Sequence, residues 1–297
     1  MDRSLDPTEH LPNSYVSRRS TEAQALPDWT PPAGTLGALT DEARLRAATL
    51  APRAAELERA NLRMRSVPGF ADALQGNEVK VIAEVKRSSP SRGVINSNLD
   101  VDKQVIAYEA GGAAAISVLT EPSRFGGSNE DLLRARAAVG IPLLRKDFHV
   151  ETVQILEARS LGASAALVIA RAVRPSRLQE LMHAGDDAGI EILVEIRDER
   201  ELDLALTYGA RLIGVNNRNL ETLEIDPDTS LRLLPLIPAD VVAIAESGVR
   251  SVQDVERLAR AGANAVLVGS ELSASRDPKA AVRSLTGVAR TKGARKS

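Results

Sequence analysis

The chain has 297 residues, room for one large domain or two small ones. Hydrophobic residues make up 43% and charged residues 26%, so a sizeable core can form and disorder of the whole chain is excluded. Lys plus Arg is 38 against 40 Asp plus Glu, and aromatics are 2%, which leaves neither a basic field nor stacking rings for nucleic acid or an anionic membrane. Cysteine is absent, which excludes disulfides, Cys-ligated zinc, iron–sulfur clusters and a thiol nucleophile. That fits a reducing cytoplasm, the expected location. No apolar run is long enough to span a bilayer.

Residues 1–35 are polar and Pro-rich and lack the apolar core of a signal peptide, so they read as a flexible tail. Trp29, the single Trp, lies in it; docking on the domain is open to it, and a mobile ring is the expectation. Residues 36–76 read as a helical cap. In TDEARLRAATLAPRAAELERANLRM, Asp41 and Glu42 suit the first turn of a helix, and Pro52 should break or kink it. Pro68-Gly69 reads as a turn and FADAL (70–74) as a short helical piece.

From residue 79 a unit recurs: a short apolar, β-branched run, then a longer run with helical spacing. The apolar runs are VKVIAEVK (79–86), AAAISVLT (113–120), IPLLRKDF (141–148), AALVIARA (165–172), EILVEIR (191–197), RLIGVNN (211–217), VVAIAESG (241–248) and NAVLVGS (264–270). They are apolar on both faces, as strands covered by helices are. In SVQDVERLARAG, Val252, Val255, Leu258 and Ala259 form one stripe, with Ser251 as N-cap and Gly262 as the terminating glycine. The same Gly-Ala joint stands at 112–113, 162–163, 209–210 and 262–263. Eight such units predict an α/β chain: a (β/α)8 TIM barrel over residues 77–290 with an N-terminal helical extension. A doubly wound sheet would show a Gly-rich fingerprint after its first strand, and none follows VKVIAEVK. Residues 291–297 read as a frayed basic end.

Side chains two apart share a strand face. Ile82, Glu84 and Lys86 do so on the first strand, and Leu144, Lys146 and Phe148 on the third. Leu193, Glu195 and Arg197 follow on the fifth, Gly214, Asn216 and Arg218 on the sixth, and Val242, Ile244 and Glu246 on the seventh. Each series turns from apolar to polar toward the strand end, where this fold carries its active site. A single Lys or Glu there is ordinarily a solvated rim residue. Five strands placing charge on one periodic face point instead to a mouth built for chemistry, because buried charges are costly unless paired. Glu246-Ser247-Gly248 and Gly269-Ser270 close the last two strands, where the loops of this fold hold phosphate, and Ser89 in RSSPSRG (87–93), a loop that reads as mobile, could add a contact. His10, His149 and His183 are scattered without ligand spacing, so no metal is expected. Asp147 beside His149 reads as a loop pair.

These residues resemble the indole-3-glycerol-phosphate synthase family of tryptophan biosynthesis. The resemblance rests on VIAEVKRSSPSRG (81–93), ISVLTEPSRFGGS (116–128), PLLRKDF (142–148), LVEI (193–196), IGVNNRNLETLEID (213–226), AESGV (245–249) and AVLVGSEL (265–272). It implies a monofunctional carboxy-lyase that closes an indole ring on 1-(2-carboxyphenylamino)-1-deoxyribulose 5-phosphate, releasing CO2 and water, with no cofactor. By motif match Lys146 looks like the general acid, its pKa eased downward by the second lysine, and Glu195 like the base. Lys86 resembles the lysine that holds the substrate carboxylate. Glu84 and Glu246 would orient the lysines, and Asn216 and Arg218 would donate to substrate. Ser247 joins the substrate contacts, Phe125, Phe148 and Leu167 match positions around the aromatic ring, and Ser89, Gly248, Gly269 and Ser270 match the phosphate site. The chain departs from the family at Arg124, at His149 and at Arg171, where a smaller residue is common. The implied partner is a phosphorylated small molecule, with no nucleic acid and no membrane. A monomer is compatible, and contact with other enzymes of the pathway stays open. Two alternatives remain at this stage: another phosphosugar enzyme of the same fold, a Schiff-base aldolase included, and a barrel that binds a phosphorylated ligand without turnover.

Overall fold

The computed structural model describes residues 29–64, 66–291 and 293–295. Most of the N-terminal tail, His10 included, lies outside the described residues. The eight apolar runs form strands: β1 (Lys80–Val85), β2 (Ala115–Leu119), β3 (Leu143–Lys146), β4 (Ala165–Ile169), β5 (Glu191–Ile196), β6 (Leu212–Asn216), β7 (Val242–Glu246) and β8 (Ala265–Val268). Each neighbours the next, all pairs are parallel, and β1 closes on β8, giving one closed eight-stranded barrel. Ile82 faces Ala115 of β2 and Leu267 of β8 across the two ladders that seal it. The strands are shorter than the apolar runs: the last one to three residues of each run turn into a loop, and Glu84, Lys146, Glu195, Asn216 and Glu246 stand at or next to the last strand position.

The helices follow the predicted periodicity. Ser251 caps the helix Val252–Ala261 with a reciprocal bond to Asp254, and Gly262 ends it at φ 103°, a left-handed conformation open to glycine at little cost. The other three Gly-Ala joints end their helices with the same left-handed turn. Before the barrel, α1 (Gly34–Leu50) and α2 (Ala54–Asn61) are separated by the tight turn Ala51–Arg53 that contains Pro52, and α3 (Phe70–Ala73) follows. Helix α1 lies against the C-terminal end of the barrel. It buries Leu36, Leu39 and Ala43 there, and its Arg46 reaches Asp147 at the end of β3 at 2.6 Å.

Two terminal expectations are corrected. Trp29 is fixed rather than mobile: its indole N–H donates to the carbonyl of Arg171 at 3.3 Å, and the Arg174 guanidinium lies 5.7 Å from its ring centre. The described part of the C-terminal segment is held rather than frayed. Val79 N–H donates to Val288 O and Arg290 N–H to Asn77 O, so the last segment runs antiparallel to the entry into β1. Arg295 then reaches under the barrel to Val241 O at 2.7 Å and Asn264 Oδ1 at 2.6 Å. Its guanidinium satisfies carbonyls that the parallel ladder leaves open at the strand starts.

Candidate active site

All fifteen residues singled out from the sequence line one cavity of about 160 Å³ at the C-terminal end of the barrel. The alternation of side chains along the strands is the reason. Glu84, Glu195, Asn216 and Glu246 are buried, and Lys86 and Lys146 are only 14% and 13% exposed. Arg197 shares a strand face with Glu195 but does not join them, and its backbone N–H donates to Glu201 Oε2 at 2.7 Å.

The charges form a linked array. Lys86 Nζ pairs with Glu84 Oε1 at 2.7 Å, and Ser117 Oγ donates to Glu84 Oε2 at 3.3 Å. Lys146 Nζ binds Glu246 Oε2 and lies 3.6 Å from Glu195 Oε2. Asn216 Nδ2 holds Glu195 Oε1 at 3.0 Å. Three carboxylates thus face two ammonium groups. Burial alone would lower the pKa of Lys146, but Glu246, Glu195 and Glu84 outweigh it and hold the ammonium well above its ordinary value. The expectation that the second lysine would lower it is therefore corrected: the carboxylates are closer and more numerous. Glu84, though buried, is held below the usual carboxylate range by Lys86 and Lys146. Glu246 is the acid left uncompensated. Burial and repulsion from Glu195 and Glu84 overcome Lys146 and push it up to about 7.

That shift has a sign. The unfolded carboxyl ionises near 4.5 and the folded one near 7, so the stabilisation from the bound proton is complete below the first value and is lost as pH rises through the second. The Glu246→Gln variant should lack this loss. The difference in melting temperature between wild type and variant, measured from pH 5 to pH 8, should move in the variant's favour as pH rises. An unchanged difference would place the shared proton elsewhere.

Glycine makes room for the array. A Cβ on Gly214 would stand 2.2 Å from Glu246 Oε1, and one on Gly269 would stand 2.2 Å from Glu84 Oε1 and 2.8 Å from Lys86 Nζ. Gly269, a phosphate contact by motif match, also admits the ion pair. Gly214 stands in the sequence as the start of a strand series. Its signal was a glycine inside an otherwise apolar strand, which marks close approach.

The glycine-rich end of the cavity has unusual backbone. Ser247 sits at φ 64° and Gly248 at φ 93°. A serine in that region is held there against its preference, by Asn217 Nδ2 donating to Ser247 O at 2.9 Å. Asn217 was not picked out, although it lies in the same motif as Asn216. Ser89 is buried, and its hydroxyl has no hydrogen-bond partner among the described residues. The loop that carries it is tied down rather than loose: Arg87 pairs with Asp131 through two bonds, and Ser88 Oγ donates to Arg124 O at 2.9 Å. At the opposite side of the cavity Phe125 and Phe148 lie 6.4 Å apart in a tilted pair beside Leu167.

Asp147 and His149 interact through their charges, as a loop pair would, but each has its own hydrogen-bond partners. Asp147 accepts from Thr120 Oγ1 at 2.7 Å and from Arg46, which fixes the strand end between Lys146 and Phe148. His149 Nδ1 donates to Leu167 O at 2.7 Å, and burial pushes its pKa down to about 4, so it is neutral.

A closed (β/α)8 barrel with paired lysines and glutamates at its strand ends, beside a glycine-rich turn, is the construction of a barrel enzyme. The sequence model of the indole-3-glycerol phosphate synthase family matches residues 39–285. The chain is 49% identical over 230 residues to indole-3-glycerol phosphate synthase 1 of Streptomyces coelicolor, covering 77% of this chain and 86% of that one. It is 52% identical over 213 residues to the synthase of Mycolicibacterium gilvum, covering 72% and 78%. Among solved structures, 3-hexulose-6-phosphate synthase from Salmonella typhimurium shares the fold at TM-score 0.56 and 16% identity, covering 70% of this chain and 96% of that one. The chain belongs to the indole-3-glycerol phosphate synthase family.

Proposed function

We propose that the chain is a decarboxylating and dehydrating carbon–carbon lyase, acting in the cytoplasm on 1-(2-carboxyphenylamino)-1-deoxyribulose 5-phosphate. The observation that carries this reading is the array of Lys146, Glu195, Asn216 and Glu246 between an aromatic side and a glycine-rich side of one cavity. The ring carbon bearing the carboxylate attacks the ketone carbon. As that bond forms, Lys146 gives its proton to the carbonyl oxygen, which becomes a hydroxyl. Loss of CO2 returns its bonding electrons to the ring. Lys146, recharged with a proton from solvent, then protonates the hydroxyl, which leaves as water, while Glu195 takes the proton from the carbon beside the nitrogen, which completes the indole. Lys86, steadied by Glu84, holds the substrate carboxylate, and Phe125, Phe148 and Leu167 flank the ring. Asn216, Arg218 and Ser247 bind the sugar portion. The unpartnered Oε1 of Glu246 suits a substrate hydroxyl, and the unpartnered hydroxyl of Ser89 suits phosphate beside Gly248, Gly269 and Ser270. None of these steps calls on a cofactor.

The test is direct. Purified protein mixed with the substrate, in buffer without added metal or cofactor, should generate indole absorbance and fluorescence, with CO2 released in equal amount. Binding without product would favour the reading of a barrel that has kept only its ligand site. A borohydride-trapped adduct on Lys146 would favour Schiff-base chemistry instead.

A further inference from the structure

The contacts around Arg171 extend beyond the assigned site residues. Arg171 follows β4, and its guanidinium makes two separate connections. Nη1 donates to Thr30 O at 2.7 Å, and Nη2 pairs with Glu221 Oε1 at 2.9 Å. Its backbone carbonyl accepts from the Trp29 indole. Glu221 lies in the loop after β6, and it reaches back to the same segment. Its Oε1 accepts from Ala33 N–H at 2.8 Å and its carbonyl from Thr35 N–H at 3.4 Å. The fit is close enough that a Cβ on Gly34, itself at φ 58°, would stand 2.3 Å from Glu221 O. Three parts of the chain distant in sequence therefore meet at one knot: the approach to α1, the end of β4 and the loop after β6.

Two of those parts roof the cavity. Helix α1 contributes Thr35 and Leu39 to its lining, and the loop after β6 contributes Leu220, Leu223 and Ile225. Leu223 is held at φ 67°, a strained conformation for leucine that persists only where its surroundings enforce it. Arg218 enforces it from inside, with Nη1 donating to Leu223 O at 2.9 Å, and Glu221 ties the same loop from outside.

We propose that Arg171 and Glu221 are positioning residues that latch the segment Trp29–Thr35 to the barrel, and so hold the apolar roof of the substrate cavity in its binding shape. The proposal rests on the reading of that cavity as the substrate site. The latch touches none of the groups that exchange protons, so it acts on affinity rather than on the chemical step.

Trp29 is the single Trp, so its emission in the absence of substrate reports the latch. Two variants open the latch by different means. Arg171→Ala removes both connections, and Gly34→Ala pries the contact apart while leaving every charge in place. In both, acrylamide quenching of Trp29 should rise at least about twofold, and KM should rise about tenfold with kcat within about threefold. Arg171→Lys, which can keep the pair with Glu221 but not the second bond, should recover part of the KM. The proposal is overturned if KM stays at the wild-type value in both variants, if Trp29 quenching does not change, or if kcat falls while KM holds. A wild type that fails to turn over the substrate would sink the assignment of the reaction instead, and the latch would then be judged on Trp29 quenching alone.

Discussion

Lys146→Ala should lower kcat by about 10³- to 10⁴-fold, the upper part of the range of about 10²- to 10⁴-fold in which a positioned general acid acts. The prediction follows from the array rather than from the lysine alone. Among the described residues Lys146 is the single cation in contact with both Glu246 and Glu195. Without it, no ammonium is left at that point, since Lys86 is held by Glu84 on the neighbouring side. Removal also leaves three carboxylates facing one ammonium. Breaking a buried pair commonly costs about 3–5 kcal/mol, but Glu246 can relieve part of that by keeping its proton. The variant should therefore remain folded by circular dichroism, and it should lose more melting temperature at pH 8 than at pH 6. Turnover within about tenfold of wild type would remove Lys146 from the role of acid.

Glu195→Gln should lower kcat by about 10²- to 10³-fold, with the opposite effect on stability. Glutamine matches the shape of glutamate and still offers an oxygen to Asn216 Nδ2. What it lacks is the charge that accepts a proton. Removing one of three crowded carboxylates also relieves repulsion on Glu246, whose pKa should fall back toward the ordinary range. The variant should melt no lower than wild type, and higher above pH 7, as expected where a site is held in strain for function. Loss of both activity and stability would make Glu195 a scaffold residue. The two substitutions thus separate acid from base by the sign of their stability change as well as by rate.

Much of this site was legible because a strand has a period of two. Glu84, Lys86, Lys146, Glu195 and Glu246 could be assigned to one mouth from spacing alone, once eight repeated units implied closure. Burial on both faces made the strands read as continuous apolar runs, so their number was clear and their ends were not. What spacing could not give was distance across the barrel. The balance of three carboxylates against two lysines depends on which groups meet, and it reverses the direction expected for Lys146. Arg171 illustrates the same limit. In sequence it is a departure from the family at the end of a strand, and its partners at Thr30 and Glu221 are 141 and 50 residues away. Trp29 carried no local signal either, because a Pro-rich polar stretch looks alike whether it is docked or free.

The closure of β1 on β8 bears on how the molecule comes to be made. The strand that carries Glu84 is among the first barrel segments to leave the ribosome, and one of its two partners is encoded nearly two hundred residues later. At about 5–20 residues per second, its open edge waits on the order of 10–40 s for that partner. An unpaired apolar edge is a template for association with other chains. The nascent chain is therefore at its most vulnerable at the strand on which the catalytic array is founded. The ion pair of Lys86 with Glu84 gains the close neighbour that leaves it room, Gly269, only at the end of that wait.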